Sequence, residues 1–214
     1  MDIRKIISRP AGEGGQREGE EFDGRGRLWE QATILFHIIR WSVLGAIAGI
    51  VSGAATTMFL NLIRHGTSAT ASVPSWVLYV LPPIAGLACG ALTKYLSPRS
   101  AGIDSYIRDV HKNDGQIPFS VAPVKMVSSV TGIVGGFSVG NEGPAAHIGA
   151  TLCSFLAWCF DLTRDDRRKI VICGISGGFA AVFGTPISGA LFGVEVLFLG
   201  RLLYEVLYPS FIAG

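Results

Sequence analysis

Gly140-Asn141-Glu142-Gly143-Pro144 sets one carboxylate between two glycines and just ahead of a proline. Gly140 and Gly143 open backbone conformations that other residues avoid. Pro144 suits the first turn of a helix, where its missing N–H costs nothing. The helix expected over residues 145–160 then aims unpaired backbone N–H groups at the space in front of Glu142. That is anion chemistry without a buried lysine or arginine. Glu142 would stand where an anion binds, as a competitor or a gate. Ser100-Ala101-Gly102-Ile103-Asp104 reads as a second helix start of this kind, with a short helix over residues 106–111; the duller reading is an ordinary capped loop.

Elements of a membrane protein position these groups. The chain has 214 residues, only 16% of them charged, and a mean hydropathy of +0.44. Soluble domains carry about 25% charge. The first 30 residues hold 13 of the 34 formal charges, so the remainder is more apolar than the average suggests. Long apolar runs are expected as spans at residues 34–63, 76–96 and 117–139. Shorter ones follow at 145–160, 170–183, 187–199 and from Leu202 onward. Many of the 28 glycines fall inside these runs, some four apart, as Gly45, Gly49 and Gly53 are. Small residues at that spacing let helices approach closely in a bilayer. Short, glycine- or proline-interrupted segments predict broken helices meeting near the membrane midplane.

The fold class is therefore an all-α polytopic membrane protein, with a polar cytosolic tail over residues 1–33 and a transmembrane domain over 34–214. The tail has no apolar core of a signal peptide and is expected to hold a short helix near Leu28 to Gln31. Arg164, Arg167, Arg168 and Lys169 crowd one loop, and Lys94, Arg99, Arg108 and Lys112 surround another. The positive-inside rule puts both loops and the N-terminus in the cytosol, at the cell's inner membrane, with Gly140–Pro144 entering from the opposite face. A net charge of +2 without a basic stripe argues against nucleic acid. Cys89, Cys153, Cys159 and Cys173 form no CxxC pair and read as packing residues rather than metal ligands. His37, Arg40 and Lys125 read as helix-end side chains that snorkel to the interface.

Three ordered motifs carry a family resemblance. Gly140-Asn141-Glu142-Gly143-Pro144 with Ile148-Gly149 resembles the glutamate-gate motif of the ClC chloride channels and transporters. Residues 183–195, from Phe183-Gly184-Thr185-Pro186 through Gly189-Ala190-Leu191-Phe192 to Glu195, resemble a second family stretch. Ser100 to Asp104 is similar to the family's first anion loop. The resemblance implies a homodimer with one anion path per subunit, built from two inverted repeats and needing no cofactor. Its ligand would be a chloride ion, held by Ser100, Ala101, Gly102 and Ile103 on one side and Gly140, Asn141, Gly143 and Pro144 on the other. Glu142 would block the path and yield on protonation, and Glu195 is the candidate for a proton pathway.

Three positions depart from the family pattern. Ala101 stands where a serine is usual, Asn141 where an arginine is usual, and Val196 where proton-coupled members carry a second glutamate. Valine relays no proton, so a channel is expected over an antiporter. The resemblance covers the first inverted half alone, which predicts a partial product and leaves a non-conducting fragment or assembly partner as an alternative. One rival is an enzyme: Gly174-Ile175-Ser176-Gly177 and Ala146-His147-Ile148-Gly149 have the form of an intramembrane serine protease dyad. In that family the serine precedes the histidine along the chain, and here His147 precedes Ser176.

Overall fold

The computed structural model describes residues 24–96, 104–197 and 204–214, and every regular element among them is an α-helix. Helix α1 (Gly24–Thr70) begins in a small unit that ends at Ile38; the remainder of the chain, Ile39–Gly214, forms a second unit. At 47 residues α1 is longer than the 30-residue span expected, and it absorbs the separate short helix expected near Leu28. Its C-terminal extension, residues 64–70, carries side-chain bonds back to the main chain. His65 Nδ1 bonds the carbonyl of Asn61 at 2.8 Å and Thr67 Oγ1 donates to Ile63 at 2.9 Å, so polar side chains serve carbonyls of the preceding turn. Helix α2 (Ser75–Leu96) matches the second expected span, with Pro82 and Pro83 inside it. These two are the described helices long and apolar enough to cross a membrane.

Helix α3 (Asp104–Lys112) confirms the short helix expected over 106–111. The third expected span, 117–139, shrinks to α4 (Val121–Val134). Its glycines explain the early stop. Gly136 takes φ +97°, its N–H bonds Ile133 O at 3.1 Å, and the N–H of Phe137 reaches Gly132 O at 3.0 Å. This paired closure ends a helix at a glycine, and the Phe137 ring then folds onto Gly132. Residues 137–141 are thereby released as the approach to the next helix.

Helices α5 (Glu142–Cys159) and α6 (Arg164–Phe183) form an antiparallel hairpin at the centre of the body. Asp161 closes α5 at φ +47°, and Thr163 caps α6 by accepting a hydrogen bond from the Asp166 amide. The helix pair meets backbone to backbone: Gly149 lies on Gly174 and Gly178 lies on the Ala145 carbonyl. Only glycine allows that approach. Around it pack Ala146, Ala150, Val171, Ile172, Ile175 and Val194, all essentially inaccessible. Helix α7 (Pro186–Glu195) starts after the left-handed Gly184 and lays Gly189 and Gly193 on Ser176. Helix α8 (Tyr204–Ala213) brings Pro209 and Ala213 against Gly45 and Gly49 of α1; Gly53, the third glycine of that face, is open.

Three ion pairs gather at one end of the α5–α6 hairpin. At the α5–α6 turn, Asp114 accepts from Arg168 and pairs with Arg164, and Arg40 pairs with Asp166 at 2.8 Å. Ser154 fastens the α3–α4 loop there, accepting from Ile117 N at 2.9 Å and donating to Gly115 O at 2.7 Å. Glu142 sits at the opposite end of α5, about 27 Å away at 1.5 Å per residue over 18 residues.

Candidate functional site

The helix behind Glu142 starts earlier than its proline suggests. Asn141 is the N-cap, with φ −91° and ψ −7°, and Glu142 is the first helical residue, so Pro144 occupies the third position. The first main-chain bond is Ala145 N to Asn141 O, at 3.1 Å. Pro144 fits because the third position of a helix has no partner for an N–H in any case. The amides of Glu142 and Gly143 are likewise left without a carbonyl one turn back, at the positive end of the α5 dipole.

The Glu142 side chain folds back over this end. A Cβ built on Gly140 would collide with Glu142 Oε2 and lie 3.1 Å from Cδ, so the carboxylate fills the space that any larger residue at 140 would take. Gly140 does not have a positive φ. The expectation that it supplies an unusual backbone conformation is therefore corrected: Gly140 supplies room, Gly143 is an ordinary helical residue, and Gly136 is the glycine of this region that carries the left-handed turn. Because alanine fits the backbone at 140, Gly140→Ala is expected to leave the fold intact and push the carboxylate off its seat. The check is the pH profile of anion flux, which should flatten in Gly140→Ala while the melting temperature holds.

A cavity of about 330 Å³ opens at this helix start, lined by Lys125, Ser129, Val139, Gly140, Glu142, Gly143, Pro144 and His147. Of the expected anion-contacting residues, it gathers Gly140, Gly143 and Pro144 around Glu142. Asn141 is not in the lining, and its side chain makes no capping hydrogen bond. Ser100, Ala101, Gly102 and Ile103 lie outside the described residues. Glu195 is the exposed last residue of α7 and does not line the cavity.

Two lining residues were assigned elsewhere from the sequence. Lys125 is half-buried in α4 and lines the gate cavity. His147 is 1% exposed, and its ring stands 5.4 Å from that of Tyr106 on α3. It thus links the start of α3 with the cavity at the start of α5. Its Nδ1 has no hydrogen-bond partner among the described residues. Spacing gave no signal for this, since residues five apart on a helix stand about 140° apart around its axis. The suggested Ser176–His147 dyad is not assembled. Ser176 Oγ donates to Ile172 O at 3.0 Å inside α6 and is packed under Gly193, with no hydrogen bond to His147.

Comparison with known proteins gives concordant matches. The family model described as voltage gated chloride channel matches residues 85–214. A chloride/fluoride channel protein of Pseudomonas syringae pv. tomato is 38% identical over 186 residues, which is 86% of this chain and 41% of that protein. A voltage-gated ClC-type chloride channel, ClcB, of Yersinia pestis is 29% identical over 69% of this chain and 36% of its own. Among solved structures, a CLC-type fluoride/proton antiporter superposes with a TM-score of 0.75 at 27% identity, covering 83% of this chain and 45% of that one. The chain spans less than half the length of each of these relatives.

Proposed function

This chain belongs to the voltage gated chloride channel family, and from that membership we propose that it supplies the gate-bearing half of a path for small inorganic anions across a lipid bilayer. The observation that carries the reading is the seat of Glu142. A carboxylate folded in front of two unpaired amides at a helix N-terminus occupies an anion's place, so an anion binds there only when the carboxylate leaves or loses its charge. Gly140, Gly143 and Pro144 shape the cavity that receives it. Ser100, Ala101, Gly102 and Ile103 are proposed to offer backbone contacts on the cytosolic side, and Asn141 to border the gate without charge.

Chloride is the first candidate ion, and fluoride is the second because the Pseudomonas relative is named for both. A gated channel is the first reading, since Val196, directly after Glu195, cannot pass a proton. A proton-coupled antiporter is the second, favoured by the superposition on the fluoride/proton antiporter. The working assembly is a homodimer in the cell's inner membrane, with the N-terminus and the arginine-rich α5–α6 turn in the cytosol and Glu142 approached from outside.

Liposomes test this directly. The chain is reconstituted alone and joined after Gly214 to the remaining length of the Pseudomonas relative, and chloride and fluoride efflux are recorded with ion-selective electrodes. Flux from the joined protein is expected. Flux from the joined protein alone would make the 214-residue chain a half-site, and an absence of flux in both would sink the transport reading.

A further inference from the structure

A second cavity, of about 760 Å³, opens at the other end of α5, beside the α3–α4 loop and the α5–α6 turn. Small-ligand sites span about 300–1,000 Å³, and this one shares no residue with the Glu142 cavity. Part of its wall is aromatic. The Phe119 and Phe155 ring centroids stand 4.9 Å apart, and those of Phe155 and Trp158 5.8 Å apart with the planes at 28°. Trp158 is 70% exposed. The polar part of the lining includes Asp109, Asn113, Asp114 and Arg167.

Arg167 is the cation that the surrounding ion pairs leave unused. Its stem passes over Gly115, where an added Cβ would lie 3.5 Å from Arg167 Cγ. Its Nε is buried without a hydrogen-bond partner, and among the described residues its guanidinium makes no ion pair. The neighbouring cations are committed: Arg164 and Arg168 to Asp114, Arg40 to Asp166, and Lys169 to Glu205. A guanidinium with an open donor edge suits phosphate oxygens, which it can meet with two parallel hydrogen bonds. Asp109 adds the opposite sign to the same lining. It accepts from Asn113 Nδ2 at 2.8 Å, and a carboxylate has about four acceptor sites, so it can take further donors.

These features together select a zwitterion with an apolar tail. A headgroup of negative charge alone would satisfy Arg167 and meet the Asp109 carboxylate. A quaternary ammonium has no N–H to give Asp109, whereas a primary ammonium does. An exposed tryptophan with phenylalanine neighbours suits the level of the lipid headgroups, where one side is wet and the other is hydrocarbon. We propose that this cavity binds the phosphoethanolamine headgroup of a membrane phospholipid. Arg167 takes the phosphodiester, Asp109 takes the ammonium, and the Phe119–Phe155–Trp158 strip packs against the acyl chains. The inference uses the membrane setting of the chain and is independent of the gating role of Glu142.

Native mass spectrometry in detergent tests this on the 214-residue chain and on the protein joined to the Pseudomonas second half. Phosphatidylethanolamine, phosphatidylglycerol and phosphatidylcholine with identical acyl chains are titrated separately. Phosphatidylethanolamine is expected to bind several-fold more tightly than the other two in both proteins. Arg167→Gln is expected to weaken it by about tenfold, the loss of a hydrogen bond to a charged group. Asp109→Asn should erase the preference for ethanolamine over choline. Equal affinity for the three lipids, or an undiminished affinity in Arg167→Gln, overturns the proposal.

Two further arms separate other occupants. Glycerophosphoethanolamine, the headgroup without acyl chains, is expected to bind far more weakly; binding as tight as the lipid's would make the ligand a soluble compound and overturn the lipid assignment. Binding by the chain alone that disappears in the joined protein would place the second half in the cavity and overturn it too. If Arg167→Gln or Asp109→Asn melts early, Trp158→Leu at an exposed position carries the test: several-fold weaker lipid binding is expected, and an unchanged affinity overturns the site. No arm depends on anion flux, so a failure of the transport reading leaves this result standing.

Discussion

Glu142→Gln is expected to abolish the pH dependence of anion flux and to raise flux at neutral pH by about tenfold or more. The amide keeps the size of the side chain and carries no charge at any pH used. A unit charge about 4 Å from a bound anion opposes it by about 4 kcal/mol at an effective dielectric near 20, and tenfold in rate needs only about 1.4 kcal/mol of that. The carboxylate is well placed to exert this opposition, because it folds over Gly140 in front of the α5 N-terminus. Efflux from liposomes across the acid-to-neutral range provides the measurement. A Glu142→Gln protein with the wild-type pH profile would remove Glu142 from the gate.

Gly149→Ala is expected to cost about 3 kcal/mol or more of stability, the upper range for overpacking a core. The added methyl would run into the carbonyl oxygen of Gly174, lie 2.9 Å from that carbonyl's carbon and 3.3 Å from Ser52 Cβ. The first two atoms are backbone of α6, so no rotamer change relieves the clash and the helices must part. Because α5 carries Glu142 at its first turn, parting them also moves the gate. Gly53→Ala is the matched control: nothing lies within 4 Å of a Cβ there, and alanine is the better helix former. Thermal unfolding in detergent should separate the two variants clearly. Equal melting temperatures would refute the backbone contact at Gly149.

The sequence was a good guide to which segments are helical and a poor one to where they end. Residues 117–139 read as a single span because apolarity alone carries no stop signal. The stop came from Gly136, whose positive φ and paired hydrogen bonds to Ile133 and Gly132 are properties of backbone geometry. The same limit applied to Pro144, which marked a helix start correctly but two residues late, since the third position tolerates proline as well as the first. Gly140 was noticed for the wrong property. Its value is the empty volume above it, and a volume filled by a side chain two residues along is invisible to composition or spacing.

Lys125 shows the deeper limit. Read along its own helix it is one charge in an apolar stretch, and snorkelling is the economical account. Its place beside Glu142 depends on how α4 packs on α5, and that packing is set by contacts between residues far apart in the chain. His147 was read only as half of a catalytic dyad until Tyr106 and the cavity fixed its surroundings.

By itself the sequence determined an all-α membrane protein of the voltage gated chloride channel family, with a carboxylate set at a helix N-terminus. Those features are local: apolar run length, glycine spacing and a five-residue motif each act over a turn or two of chain. Tertiary structure alone decided that Glu142 folds back onto Gly140, that Lys125 and His147 join it, that Asn141 and Glu195 stay outside its cavity, and that Ser176 is a packing residue. The physical reason is that electrostatic and steric partners are chosen by distance in space. The packing of α4 on α5 brings Lys125 to the Glu142 cavity, and the backbone contact between Gly149 and Gly174 seats α5 on α6.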